Sequence, residues 1–470
     1  MAQETTRELE AYRVYLRIRK GQLTAEYSGI YSNQKLADAL NELENSFSIV
    51  NRREQFEKTV SVAVSKDQPY HRWARYREAY SNELVRDLIR RSGLDSRLHF
   101  TFDPMCGSGS TLVASAEMGF DSLGCDVNAY AVDLTNAKTH FYKKNELVIV
   151  EKLINKPPSE QSQLSLSTWR NVEQCAPYFK PKNLHQLQII RDLVERTHQQ
   201  TVKHLLFVAW LTILEDCSDK MKDGNGLASR PSRVNDVWER FTTRLQFMLE
   251  DLRKYPLPEM VMAEAYRCSA LKSSPLVKEF GGKTEKKLGA IIFSPPYANS
   301  FDYFESYKLE LLCGYYNTSE LIEARQHSIR NYRKGYGHDL ETDDPVVGML
   351  CQEIRNRIPQ KEAASGTKDN RSRLVPNLLI GYFKDMETAI CEFSNSMPSG
   401  SFCHIVVDQS SYLGVVIPTD LLLANVAQRH GFKIQEIAFC RTAKTSGQQI
   451  RLYPHLRTTL RGSIVSLKKV

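Results

Sequence analysis

The chain has no apolar run near the ~18 residues that a membrane-spanning helix needs, so no membrane partner is expected. Its ten cysteines form no Cys-x-x-Cys pair, which argues against a disulfide scaffold and against a zinc site, and no metal is assigned. The beginning, "MAQETTRELEAYRVYLRIRK", is charged throughout and lacks the apolar centre of a signal peptide. These absences place the protein in a reducing cytoplasm. There are no internal repeats and no low-complexity tracts, and 470 residues allow two or three domains or one enlarged domain with insertions. One local absence is informative. From Arg441 to the end there is no Asp or Glu, while Arg441, Lys444, Arg451, Arg457, Arg461, Lys468 and Lys469 stand there. Most of the net charge of +8 therefore sits in this segment. It ends in the alternating "LRGSIVSL", so the basic tail is expected to be folded.

What is present is an alternation of strands and helices, the mark of a parallel α/β sheet. Residues 1–66 have helical spacing in "LADALNELENSF" and read as a helical extension. Residues 67–145 begin with a helix capped by Ser81 and stopped by Gly93. They continue as strand, Gly-rich turn and helix in "LHFTFDPMCGSGSTLVASAEMGF", then a second strand and helix in "DSLGCDVNAYAVDLTNAK". Residues 146–257 break the rhythm with apolar residues at three-and-four spacing, a helical insertion, whose loop "KMKDGNGLASRPSR" is expected to be exposed. Strands resume in 258–314. Residues 315–375 read as a polar, irregular and variable insertion, and 376–470 supply the last strands and the basic tail.

In "FDPMCGSGST", Asp103 ends a strand and Cys106, Gly107 and Gly109 lead into a helix. Glycines there let a ligand approach the backbone, and the helix N-terminus favours polar or anionic groups. Asp126 ends the next strand about twenty residues later, where a carboxylate can accept from both ribose hydroxyls. Leu112 occupies the third position of a Gly-x-Gly-x-x-Gly register, so a single nucleoside is favoured over a dinucleotide. S-adenosylmethionine, a nucleoside with a charged amino-acid tail and no phosphate, is the natural candidate.

A second stretch raises its own question. "LGAIIFSPPYANSFDYFE" passes from a buried apolar run straight into two prolines. Each proline lacks an N–H and fixes its own φ, so the strand must end in a stiff loop. A rigid carbonyl between the Ser294 hydroxyl and the Tyr297 ring suits a planar ligand. Together, "SPPY" and "DPMCGSGST" resemble the DNA amino-methyltransferases, specifically the cytosine-N4 group, whose tetrapeptide begins with Ser rather than Asp or Asn. "YHRWARYREAYSNELV", "GCDVNAYA" and "LRTTLRGSIVSLKK" resemble other segments of that family.

The resemblance implies a Rossmann-like, S-adenosylmethionine-dependent methyltransferase sheet carrying a helical insertion and a smaller variable insertion. It implies cofactor binding by Tyr80, Ser81, Asp103, Cys106, Gly107, Gly109 and Asp126, with Ser269 where the family often has Asp. It implies catalysis by Ser294, Pro295, Pro296 and Tyr297 on a cytosine flipped out of double-stranded DNA. The setting implied is restriction-modification, beside a cognate restriction endonuclease acting separately. Chemistry supports the tetrapeptide independently. A cytosine amine is a poor nucleophile because its lone pair is delocalised. Ser294 Oγ and the Pro295 carbonyl can accept its two hydrogens, Pro296 can hold that carbonyl, and Tyr297 can stack on the base. Asp302 and Tyr303 either orient the base or cap the following helix, and His404 reads as structural. For DNA, Arg457 and Arg461 are expected on phosphates, and Arg355, Arg357, Arg371 and Arg373 on base edges. An adenine-N6 or RNA base methyltransferase on the same fold remains the alternative, and a non-catalytic DNA-binding protein a more distant one.

Overall fold

A computed structural model describes the chain outside residues 1–16, 20, 21, 25, 26, 28, 29, 62, 63, 77, 78, 157–168, 224, 225, 300, 331–339 and 444. The amino-terminal segment gives β1 (Arg17–Arg19), β2 (Gln22–Thr24) and β3 (Ile49–Asn51). β4 (His99–Asp103) and β5 (Ser122–Asp126) follow, then a separate hairpin of β6 (Lys220–Asp223) and β7 (Gly226–Ser229). Next come β8 (Ala263–Arg267), β9 (Lys287–Phe293) and β10 (Phe402–Asp408). A short ladder pairs β11 (Ser410–Tyr412) with β12 (Val415–Ile417), and β13 (Phe432–Thr442) and β14 (Arg461–Lys469) complete the set.

Ten of these strands form one sheet in the order β1-β2-β3-β13-β14-β10-β9-β4-β5-β8. From β4 the chain winds outward through β5 and β8, all parallel, then returns to β9 on the other side of β4 and on to β10. β14 is inserted antiparallel to both β10 and β13. The winding therefore reverses between β4 and β9. In such sheets a crevice opens outside the carboxyl ends of the strands at this point.

The central strands read as apolar runs because both faces are covered. On β9, Ile291 and Phe293 join the cluster under helices Pro345–Ser365, Val375–Ser396 and Thr419–Arg429, while Ala290 and Ile292 face helix Asn82–Arg91. That last helix starts where Ser81 Oγ accepts from Leu84 N and buries Leu84, Val85, Leu88 and Ile89. Gly93 follows it at φ +61°, the left-handed conformation that stops a helix. A second core unites helices Pro181–Arg196, Gln200–Cys217 and Val237–Lys254 with helix Ala129–Thr139.

Three expectations are corrected. Residues 1–66 contain the predicted helix, Gln34–Ser46, but also the three strands that extend the sheet; residues 1–16 lie outside the described part. In the loop expected to be exposed, Lys220–Asp223 and Gly226–Ser229 pair as β6 and β7, and Lys222 is buried against Glu310. Residues 315–375 are largely helical among those described. In helix Pro345–Ser365, Val346, Val347, Leu350, Cys351, Ile354 and Ile358 enter the main core. Their helical spacing was hidden by Pro345 and Pro359. The first is tolerated because the opening turn needs no N–H, and the second sits on an exposed face of the helix.

Candidate active site

The carboxyl ends of β4, β5, β9, β10 and β13 converge on one cavity of about 350 Å³. Its first wall is the turn after β4. Gly107 has φ +50°, and a Cβ there would lie 3.1 Å from the Tyr76 ring, so glycine is needed for this close approach. The Gly107 N–H donates to Asp126 Oδ2 at 2.9 Å, and the Asn128 N–H donates to Asp126 Oδ1 at 2.9 Å. The carboxylate of Asp126 is thus held in place at the cavity wall. Burial pushes its pKa up, and these backbone hydrogen bonds pull it back. Tyr76 closes the same wall, stacked on Tyr307 with centroids 4.6 Å apart.

Asp103 sits behind this wall, 2% exposed. It accepts from Tyr80 Oη at 3.0 Å, Thr111 Oγ1 at 2.6 Å and Met105 N at 3.0 Å. Burial raises its pKa to about 7, against the pull of those three donors. The folded chain therefore holds a proton that the unfolded chain has lost above its ordinary value of 3.8. Stability contributed by the protonated form is present below that value and disappears as pH rises through about 7. Relative to Asp103→Asn, the unliganded wild type should lose about 2 kcal/mol between about pH 5 and 7. Urea titrations of both proteins across that range test this, and parallel pH dependences would refute it.

The opposite wall is the proline loop. Ser294, Pro296 and Tyr297 line the cavity, and the Ser294 hydroxyl lies 3.5 Å from Tyr297 Oη, at the limit of a hydrogen bond. Pro295 is buried behind them. Cys268 and Ser269 form a side of the cavity, with Ser269 Oγ donating to the His327 carbonyl at 3.0 Å. Asp302 lines it too and accepts from Glu305 N at 3.1 Å, capping the short helix Tyr303–Ser306.

Of the residues singled out in the sequence, Tyr80, Gly107, Asp126, Ser269, Ser294, Pro296 and Tyr297 meet at this cavity. Ser81 does not, because its hydroxyl caps a helix and it is fully buried. Cys106 is buried with its Sγ near Thr135 Oγ1. Gly109, at φ +83°, serves packing: a Cβ there would lie 2.8 Å from Thr135. His404 is buried between the hydroxyls of Ser92 and Ser466, the structural place expected of it.

The expected DNA-contacting cations divide. Arg461 is 2% exposed and paired with Glu44 and Asp420, which removes it from any phosphate. Arg357 donates to Glu353 and to the carbonyls of Ile30 and Leu413, so it ties segments together instead of facing a base. Arg373 is exposed and paired with Glu362. Arg355, Arg371 and Arg457 are exposed. Lys444 lies outside the described residues. The sequence reading missed Arg441, which lines the cavity, and its ion-pair partner Asp408, since neither stands in a recognisable motif.

No protein-family profile matches the chain. It is 26% identical over 454 residues to the Type II methyltransferase M.AvaI of Nostoc sp. (strain PCC 7120), covering 88% of this chain and 89% of that protein. The Type II methyltransferase M.BsoBI of Geobacillus stearothermophilus is 26% identical over 473 residues, covering 90% of each. Among solved structures, the rRNA methyltransferase aviRa of Streptomyces viridochromogenes aligns with 10% identity and a TM-score of 0.26, over 83% of this chain and 85% of that one. The similarity to methyltransferases read from short motifs thus extends along almost the whole chain.

Proposed function

We propose that this chain is a site-specific DNA methyltransferase that moves a methyl group from S-adenosylmethionine to the exocyclic N4 of a flipped cytosine, as part of restriction-modification. One observation carries the reading: the held Asp126 carboxylate, the glycine cradle at Gly107 and the Ser294–Tyr297 loop line one cavity at the reversal of the sheet. The size suits a nucleoside. The donor set fits S-adenosylmethionine as well, with Asp126 offering acceptors to the ribose and Gly107 leaving room for the ligand. Bound there, S-adenosylmethionine supplies an electrophilic methyl group.

The chain's own residues hold the amine that receives it. Among the described residues Ser294 Oγ makes one long hydrogen bond, donating to Tyr297 Oη, which leaves its lone pairs for one hydrogen of the amine. The Pro295 carbonyl takes the other, and Pro296 keeps that carbonyl from rotating away. Drawing both hydrogens to acceptors pulls the nitrogen towards tetrahedral geometry and frees its lone pair. Tyr297 stacks on the base and returns roughly 1–3 kcal/mol of the cost of unstacking it.

Arg355, Arg371 and Arg457 remain available for double-stranded DNA. Helix Pro345–Ser365 supplies apolar residues to the main core, so only its outer side and flanks can take part in target recognition. No helix among the described residues is long and apolar enough to cross a membrane. We place the enzyme in the cytoplasm, with a cognate endonuclease as a separate chain.

Asp126→Ala should weaken S-adenosylmethionine binding by roughly 1.5–3 kcal/mol, the worth of hydrogen bonds to a charged acceptor. Calorimetry on a folded variant decides it, and unchanged affinity would remove Asp126 from the site. The function itself is tested by digesting DNA methylated by the purified enzyme to nucleosides and weighing the product. N4-methylcytosine supports the reading. N6-methyladenine alone would replace the base while leaving the methyltransferase assignment intact.

A further inference from the structure

Arg441 differs from the other described cations of the chain's end because it lines the cavity that holds Ser294 and Tyr297. Its Nη2 donates to Asp408 Oδ2 at 2.8 Å. Three features build this position. The pairing of β13 with β14 shifts register between Phe439 and Arg441, and a bulge of this kind re-aims the side chain beside it. Opposite Arg441 stands Gly462, where a Cβ would lie 2.4 Å from Asp408 Oδ1 and 2.9 Å from Arg441 Cγ. Only glycine leaves the pair its room. Asp408 also ends β10, so the carboxylate fixes the guanidinium at the same sheet edge that carries Asp126 and Ser294.

Asp408 occupies one end of the guanidinium, and the Tyr297 hydroxyl of the proline loop also interacts with it. The Arg441 Nε is buried and has no hydrogen-bond partner among the described residues. A fixed, planar fork of donors beside Ser294 calls for a planar ligand with adjacent acceptors. Next to its amine, cytosine carries two, N3 and then O2. Adenine carries N1 and then a C–H, which would leave one donor of the fork facing carbon.

We propose that Arg441, aimed by Asp408, donates to the N3 and O2 edge of the flipped cytosine and so selects the base that Ser294 and Pro295 present for methylation. This rests on the cytosine reading above. Arg441 is the group that touches the base, and Asp408 is a positioning residue that acts through it.

The test uses purified full-length protein, unmethylated plasmid DNA and labelled S-adenosylmethionine, with products identified as nucleosides. In Arg441→Gln the rate of N4-methylcytosine formation should fall on the order of 10- to 100-fold, the usual discrimination of a bidentate edge contact. Affinity for S-adenosylmethionine should stay near wild type, and the ratio of N6-methyladenine to N4-methylcytosine should rise. Arg441→Lys should recover part of the rate. The double variant Asp408→Asn/Arg441→Gln leaves no unpaired charge and should be no slower than Arg441→Gln alone, since the two residues act as one device. It also serves if the single variant fails to fold. Wild-type N4-methylcytosine formation in a folded Arg441→Gln protein, or in the double variant, would overturn the proposal alone. So would an equal loss of S-adenosylmethionine affinity. A wild-type enzyme that makes only N6-methyladenine would overturn the cytosine reading and this proposal together.

Discussion

Arg461→Met should lower the free energy of unfolding by about 3–5 kcal/mol, because it strands two carboxylates in the core. The guanidinium reaches Glu44 through Nη1 at 2.7 Å and Nη2 at 2.9 Å, and Asp420 through Nε at 2.6 Å. The acceptors are saturated by further donors. Ser463 Oγ and Gln409 Nε2 donate to Asp420 at 2.7 and 2.8 Å, and Tyr27 Oη donates to Glu44 at 3.2 Å. Burial alone would raise the pKa of Asp420, but Arg461 and these hydrogen bonds outweigh it and hold the pKa below its ordinary value. The stability contributed by Asp420 is therefore present above the ordinary carboxylate range and is lost as pH falls through the depressed value. Glu44 lies on helix Gln34–Ser46, Asp420 on helix Thr419–Arg429 and Arg461 at the start of β14, so the variant should also loosen the amino-terminal segment. Urea denaturation followed by circular dichroism measures the loss. A change below about 1 kcal/mol, the range of an exposed ion pair, would mean that the charges are not buried together.

Ser294→Ala should lower the rate of methyl transfer by roughly 10²- to 10³-fold, the effect of removing one preorganised hydrogen-bonding group from a developing charge. Binding of DNA and S-adenosylmethionine should change little, because the hydroxyl acts chiefly as the amine pyramidalises. Tyr297→Ala should differ by weakening binding and rate together, since stacking is present before and during the reaction. Single-turnover rates beside equilibrium binding separate the two cases. A Ser294→Ala enzyme within about threefold of the wild-type rate would leave the Pro295 carbonyl as the working acceptor and remove Ser294 from the chemistry.

The sequence by itself determined the parts whose physics is local. Two prolines after "AIIF" must end a strand, and β9 ends at Phe293. Glycine at 107 allows the positive φ of a tight turn, and a carboxylate at the end of the next strand lies beside that turn in any parallel pairing of β4 with β5. Strand, turn and helix periodicities of this kind depend on neighbours a few residues away. The tertiary structure alone decided what the charged residues do. Arg461 looked like one more cation in an acid-free tail, yet its partner Glu44 lies 417 residues earlier in the chain. Arg441 stood in the same run, and only the bulge in β13 and the glycine across from it turn that side chain into the cavity. Ser81 and Gly109 lie inside a recognisable motif, but packing against neighbouring elements gave them structural work. A side chain's charge is written in the sequence, but its energy depends on the burial and partners that folding brings to it.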